Sequence, residues 1–244
     1  MVTTETQSAA GREDPLRKSF RQTDAPRSKI GGVLRILAVF ALLVAIGNVT
    51  ILGAFGWASS NARPPLVGAP AGVPNFEAVD DRLWRGAAPS EEGYKNLSAR
   101  GVTAVVDLRA EDVAYEENPL LEDLGIERFH IPMRDGQTPS QASFDRFMGI
   151  VEGAEGKVFV HCGAGVGRTG TMAAAYLVSS GEVNSFQALV RNLEVGPPSL
   201  EQIVFVAELS GGEVERPPLA VTGVSRVLDA PRRLWTRIRS IDLF

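Results

Sequence analysis

Between Val33 and Trp57 the chain is almost wholly apolar, and a run of that length dictates what the rest of the molecule can do. Fourteen of its residues are Leu, Ile, Val or Phe, with Arg35 near one edge and Asn48 and Thr50 inside. A helix needs roughly 20 such residues to cross a hydrocarbon core of about 30 Å. Each of those side chains favours insertion by about 0.3 to 0.6 kcal/mol, which outweighs one central Asn and a few glycines. Arg35 can snorkel back to the headgroups. Residues 33–57 therefore read as one transmembrane helix. The alternatives are a buried core helix and a cleaved signal peptide, for which Ala58 and Ser60 offer a small-residue cleavage site. The run is longer than the roughly 7 to 15 residues of a signal-peptide core, and the tail ahead of it is long.

The flanks orient this helix. Arg17, Lys18, Arg21, Arg27 and Lys29 crowd its N-terminal side, whereas only Arg63 lies close behind it. The positive-inside rule then leaves residues 1–32, a polar stretch without periodicity, as a disordered cytoplasmic tail. Everything after Trp57 is expected to be extracytoplasmic. Residues 58–74, with Pro64, Pro65, Pro70 and Pro74, read as a Pro/Gly/Ala-rich linker. Residues 75–210 read as the globular domain and 211–244 as a C-terminal tail. That tail places Val227, Pro231, Leu234, Trp235, Ile238 and Ile241 on one helical face and Arg226, Arg232, Arg233, Arg237 and Arg239 elsewhere. Such a basic amphipathic segment lies on a membrane surface, docks on its own domain or is loosely ordered.

Charge and cysteine content narrow the chemistry. A formal net charge of −4 and the lack of a basic stripe with interleaved aromatics exclude nucleic acid as a partner. With one cysteine no intramolecular disulfide forms, and two histidines do not supply a structural zinc site, so no metal and no cofactor is expected. A lone cysteine is either inert core or a reactive thiol.

Within the domain, strand and helix signals alternate. Leu83-Trp84-Arg85 reads as a short strand, and Ser90 caps a helix running to about Arg100, closed by Gly101. Val102 to Val106 is an apolar β-branched run of buried-strand type. A short helix over Asn118 to Leu124, a strand over Arg128 to Ile131 and a Ser140-capped helix to about Val151 follow. Val158-Phe159-Val160 is the next buried strand, and helices follow over Thr169 to Ser180, Ser185 to Leu193 and Leu200 to Leu209. The expected fold is α/β, a mostly parallel central sheet flanked by helices on both faces.

The chemistry concentrates in His161-Cys162-Gly163-Ala164-Gly165-Val166-Gly167-Arg168-Thr169-Gly170. Cys162 follows a buried strand and a helix opens near Thr169, so the residues between form a strand-to-helix turn. Such a turn points backbone N–H groups and the positive end of a helix dipole into one concavity, which binds phosphate. Gly163, Gly165 and Gly167 let the backbone curl around an anion, and the Arg168 guanidinium can grip two phosphate oxygens. The same field favours the thiolate of Cys162, a nucleophile beside a held phosphate. A nucleotide-binding P-loop fits less well, because Cys162 stands where the first Gly belongs and Arg168 replaces the Lys.

This stretch, His-Cys-x-x-Gly-x-x-Arg-Thr-Gly, resembles the signature of the protein-tyrosine and dual-specificity phosphatase superfamily. The resemblance runs from about Asn75 to Leu209 and includes Leu83-Trp84-Arg85-Gly86 with Pro89-Ser90, Asp107-Leu108-Arg109, and Ile131-Pro132 before an Asp. It is to the compact dual-specificity type. It implies that Cys162 forms a phosphocysteine intermediate, that Arg168 binds phosphate together with loop residues 163 to 167, and that Thr169 helps the thiolate leave. The acid that protonates the leaving alcohol falls on Asp135 in Pro132-Met133-Arg134-Asp135-Gly136, where Gly136 lets the loop close. The Trp-Pro-Asp triplet of larger members is absent, and Met133-Arg134 intervenes, so Asp112 is the reserve acid. His161 is expected to order the loop, His130 to be a half-buried strand residue, and Asp107 and Arg109 to be structural.

The implied function is hydrolysis of phosphotyrosine, and by extension phosphoserine or phosphothreonine, on a phosphorylated protein substrate. Phosphoinositide hydrolysis is one alternative, although Gly163 and Val166 stand where some lipid-active relatives carry lysines. A catalytically inactive phosphate-binding module is another. Rhodanese-like sulfur transfer fits Arg168-Thr169-Gly170 poorly.

Overall fold

The computed structural model describes residues 27–110, 119–211 and 213–241, with no side-chain description at 27–30 and 232–241. Most of the expected N-terminal tail, the reserve acid Asp112 and the arginines at 232, 233, 237 and 239 are thus outside what is described. Two units are resolved, Met1–Leu42 and Leu43–Phe244, and the first consists, among the described residues, of the opening of helix α1, Arg27–Ser60. At 1.5 Å per residue, α1 has a length of about 51 Å. Its apolar side chains largely stand in the open, with Leu34 61%, Ile36 70% and Val49 69% exposed. Among the described residues it is the one helix long and apolar enough to cross a membrane, a description a signal sequence also meets.

The α/β unit is a five-stranded sheet in the order β1-β2-β5-β3-β4. Its strands are β1 Glu77–Ala78, β2 Leu83–Ala87, β3 Val102–Arg109, β4 Glu127–Met133 and β5 Lys157–Cys162. All neighbours are parallel except β1, which pairs antiparallel with β2. The two-residue β1 is too short to leave a period in the sequence. The central strands are buried along nearly their whole length, as parallel strands covered on both faces must be.

Helices cover both faces. On one side α4 (Gln141–Gly153), α5 (Gly167–Ser179) and α7 (Leu200–Glu208) bring Phe147, Met172 and Phe205 onto Val106, Val158 and Val160. On the other, α2 (Glu91–Ser98) and α3 (Pro119–Asp123) bring Tyr94, Leu97 and Leu121 onto Trp84, Val105 and Phe159. Phe147, Phe159 and Leu97 are fully buried, each contributing about 1.5 to 3 kcal/mol of transfer free energy. Between α5 and α7 runs α6, Ser185–Val195.

The caps follow the sequence. Ser90 Oγ accepts from Gly93 N at 3.2 Å and Ser140 Oγ from Ser143 N at 3.2 Å. The last helix, α8 Leu219–Ile241, takes the docking alternative over its first turns. There Ser225 Oγ accepts from Glu201 N of α7 at 3.0 Å and donates to Asp229 at 3.0 Å. Pro231 lies inside α8, where it removes one rung of the hydrogen-bond ladder.

Candidate active site

Strands β2 to β5 run in one direction, so their C-terminal ends meet along one edge of the sheet, the edge where open α/β sheets hold ligands. Cys162 is the last residue of β5, 3% exposed, with Ala87 of β2 beside it in register. The chain then turns through residues 163–166 into α5, which opens at Gly167, two residues earlier than the sequence suggests. Arg168 therefore sits in the first helical turn and is 6% exposed. Val166, the residue ahead of that helix, makes no side-chain cap bond to it.

Of the three loop glycines, only Gly165 has positive φ, +73°. It also packs tightly, since a Cβ there would lie 2.3 Å from Gly86 C and 2.4 Å from Ala87 N, both rigid backbone of β2. That placement lets Gly165 N–H donate to Cys162 Sγ at 3.3 Å.

The loop after β4 meets this turn through Arg168. Its Nη1 donates to Met133 O at 3.0 Å, and its Nε stands 3.8 Å from Asp135 Oδ1. The Asp135 side chain is 61% exposed and is followed by Gly136 at φ +76°. Two residues of α7's start hold the loop from behind: Ser199 Oγ donates to Gly136 O at 3.2 Å, and Gln202 Nε2 to Gln137 O at 3.2 Å. Thr169 is fully buried, and its hydroxyl has no hydrogen-bond partner among the described residues.

Beneath the loop is a buried charge network. Arg109 makes a fork on Asp107, Nε to Oδ1 at 3.0 Å and Nη2 to Oδ2 at 2.8 Å, and Arg128 adds Nη2 to Oδ2 at 3.4 Å. Burial works to raise the Asp107 carboxyl, but the Arg109 hydrogen bonds, helped by the charges of His161 and Arg109, outweigh it and hold the carboxyl below the usual carboxylate range. Burial dominates at His161, which is pushed down to about 4 against the pull of Asp107 and is therefore neutral at physiological pH. The 4.0 Å separation of its Nδ1 from Asp107 Oδ1 is accordingly no ion pair there. Nδ1 lies 3.2 Å from Cys162 O, and because a carbonyl can only accept, that nitrogen carries the hydrogen.

The structure thus brings together Cys162, the 163–167 loop, Arg168, Thr169 and Asp135, with His161 behind them. His130 is a half-buried strand residue whose Nε2 lies 2.6 Å from Arg109 O. Asp107 and Arg109 pair with each other. Sequence reasoning did not single out Ser199 and Gln202, yet Ser-x-x-Gln is a capping-box pattern that was there to be read, and the reciprocal bonds are present. Nor did it give a role to Arg85, a charged residue inside a buried strand, or to Asn75.

Comparison with known proteins gives a consistent picture. The family model PTP-NADK, described as a DSP-PTPase phosphatase fused to NAD+ kinase, matches residues 69–208. The human dual specificity protein phosphatase CDC14A is 44% identical over 88 residues, which are 36% of this chain and 14% of that protein. Probable NAD kinase 2, chloroplastic, from Oryza sativa subsp. japonica is 35% identical over 111 residues, 41% of this chain and 11% of that one. The chain therefore spans only a small part of these relatives. Among solved structures, Tk-PTP in its active form is 27% identical and superposes with a TM-score of 0.48, covering 58% of this chain and 99% of that chain. With more than half of its residues inside the family match, the chain belongs to the DSP-PTPase family described as fused to NAD+ kinase, and residues 69–208 form a cysteine-dependent phosphatase domain of dual-specificity type.

Proposed function

We propose that this chain is a membrane-anchored phosphatase that hydrolyses phosphotyrosine, and also phosphoserine or phosphothreonine, on proteins through a phosphocysteine intermediate. The observation that carries the reading is the convergence on one spot of Cys162, whose sulfur faces its own loop amide at 3.3 Å, and of Arg168 and Asp135, 3.8 Å apart. The protein-phosphatase names of the CDC14 relatives support a protein substrate.

In the first step the Cys162 thiolate attacks phosphorus, the bond to the leaving oxygen breaks, and Asp135 delivers its proton to that oxygen. Arg168 and the 163–167 amides hold the equatorial oxygens, where charge is spread in the transition state. In the second step water attacks the phosphocysteine, Asp135 takes a proton back, and the Thr169 hydroxyl donates a hydrogen bond to the departing thiolate. His161, neutral and donating to Cys162 O, keeps the strand end in place and exchanges no proton. In the proposed topology α1 is the anchor, the N-terminus is cytoplasmic and the catalytic domain is extracytoplasmic.

Turnover of p-nitrophenyl phosphate by the purified chain tests the reading. Cys162→Ser is expected to abolish turnover while phosphate still binds, and Arg168→Lys to be nearly as damaging because a point charge replaces a fork. Residual turnover by Cys162→Ser refutes the covalent route. Faster release of phosphate from phosphoinositide vesicles than from phosphotyrosine and phosphoserine peptides refutes the protein-substrate reading.

A further inference from the structure

We propose that Arg85 and Asn75 are positioning residues that hold the phosphate-binding loop in its anion-accepting shape. The observation is a row of three carbonyls. Gly163 O accepts from Ala88 N at 3.1 Å, Ala164 O from Asn75 Nδ2 at 2.9 Å and Gly165 O from Arg85 Nη2 at 2.9 Å. All three donors come from one short segment, residues 75–88, which carries β1 and β2 and runs beside the loop.

The geometry of the peptide unit gives this row its meaning. In a trans peptide the C=O and the following N–H point in opposite directions across a rigid plane. Fixing the carbonyls of residues 163, 164 and 165 on the outside therefore turns the N–H groups of 164, 165 and 166 to the inside, where an anion binds. Gly165 N–H already reaches Cys162 Sγ on that side, at 3.3 Å. Released from these donors, the loop could rotate a peptide and present a carbonyl to the phosphate, which is repulsive.

Both residues show signs of having this role. Arg85 is 2% exposed, a burial that a guanidinium avoids unless its donors are used. Its shortest polar contact is to the loop carbonyl, while Glu77 Oε2 is 3.4 Å from Nη1 and Asn192 Oδ1 3.5 Å from Nη2. A guanidinium retained only to pair with Glu77 has no need to reach the loop. Burial lowers the pKa of Arg85, and the charges of Glu77 and Cys162 offset this only in part. Asn75 holds φ at +51°, where non-glycine residues are uncommon and Asn is among the most tolerated, and from there its amide reaches the loop.

The kinetic arm of the test rests on the phosphatase reading and the binding arm does not. The full-length chain in detergent is made as Arg85→Met, Arg85→Lys and Asn75→Gly, each with Cys162 intact and with Cys162→Ser. Asn75→Gly keeps the positive φ and deletes only the amide, so it stays informative if Arg85→Met fails to fold. Binding of inorganic phosphate to the Cys162→Ser forms is measured by calorimetry, kcat and KM for p-nitrophenyl phosphate on the others, and thermal unfolding on all. Asn75→Gly is expected to weaken phosphate binding roughly threefold to tenfold and Arg85→Met more than tenfold, following the strengths of neutral and charge-assisted hydrogen bonds. KM should rise by similar factors with a smaller change in kcat, and Arg85→Lys should recover part of the loss. Phosphate affinity and KM unchanged in Asn75→Gly and in any folded Arg85 variant, with only the melting temperature lowered, overturns the proposal. Weakened phosphate binding in variants of a chain that never turns over substrate sustains it and instead sinks the phosphatase reading.

Discussion

Replacing Asp135 with Asn separates two effects that this side chain has on phosphate. The carboxylate is 61% exposed and 3.8 Å from Arg168 Nε, so it competes with phosphate for the same guanidinium. At that distance and in a water-like dielectric the attraction is about 1 kcal/mol, or roughly a fivefold preference. Removing the charge should tighten inorganic phosphate, measured as a competitive inhibitor, by about that factor. Stability should change by less than about 0.5 kcal/mol, because the Asp135 partner is largely in solvent and 3.8 Å away, where such attractions are weak. Turnover should move the other way. A tyrosine phenolate leaves as a base of pKa about 10, and general acid catalysis of such departures is typically worth about 10²- to 10⁴-fold. The expected result is kcat on a phosphotyrosine peptide lower by that range, a much smaller loss on p-nitrophenyl phosphate, and disappearance of the fall in rate at higher pH. Equal losses on both substrates with the alkaline limb intact, or no tightening of phosphate, would refute the assignment and make Asp112 the next residue to change.

Gly165→Ala combines a left-handed backbone, costing about 1 to 2 kcal/mol, with a Cβ driven into the β2 backbone. It should lower the melting temperature and abolish its rise with added phosphate, and a normal phosphate-dependent rise would contradict the packing described. His161→Gln tests a pH effect whose sign is fixed. The folded imidazole titrates near 4 and the unfolded one near 6.5, so the unfolded state binds the extra proton, and up to about 3 kcal/mol of stability is lost as pH falls through that window. Urea unfolding of the Gln variant should show a shallower loss between pH 6.5 and 4, and an unchanged slope rules out His161 as the source. A reporter fused after Phe244 should behave as extracytoplasmic and the chain should resist alkaline extraction; a cytoplasmic signal sinks the proposed orientation, and release of a shortened soluble form favours a signal peptide.

What the sequence revealed depended on how local the cause was. Buried parallel strands announce themselves as apolar runs, and N-caps as Ser ahead of a helix, so β3, β5, α2 and α4 were legible to within a few residues. The phosphate-loop signature was legible because a thiol, an arginine and small residues must alternate within one turn. Support from a distance left weaker marks. Arg85 looked like one more residue in Leu83-Trp84-Arg85-Gly86, and its partner Gly165 is far along the chain, so only the folded sheet brings them together. Strand β1 is two residues long and owes its existence to pairing with β2. The start of α5 was placed late because Gly167 and Arg168 look like loop residues, although a helical Arg168 is what points its side chain back toward Met133.

The phosphate loop and the loop carrying Asp135 also share supports, and this bears on how the proposed acid reaches its substrate. Arg168, rooted in the first turn of α5, bonds Met133 O at 3.0 Å, so one buried side chain joins the two loops. Gln202 makes a second bridge: its amide donates to Gln137 O at 3.2 Å, and it fills the space where a Cβ on Gly167 would come within 2.7 Å of it. Ser199, bonded to Gly136 O, ties the same loop to the start of α7. Asp135 thus sits on a loop clamped on both flanks by buried residues while its own side chain extends into solvent. That division fits the proposed acid, which must hold its place relative to Cys162 and still meet leaving groups of different size, since buried bonds hold the loop backbone while the exposed carboxylate faces both solvent and Arg168.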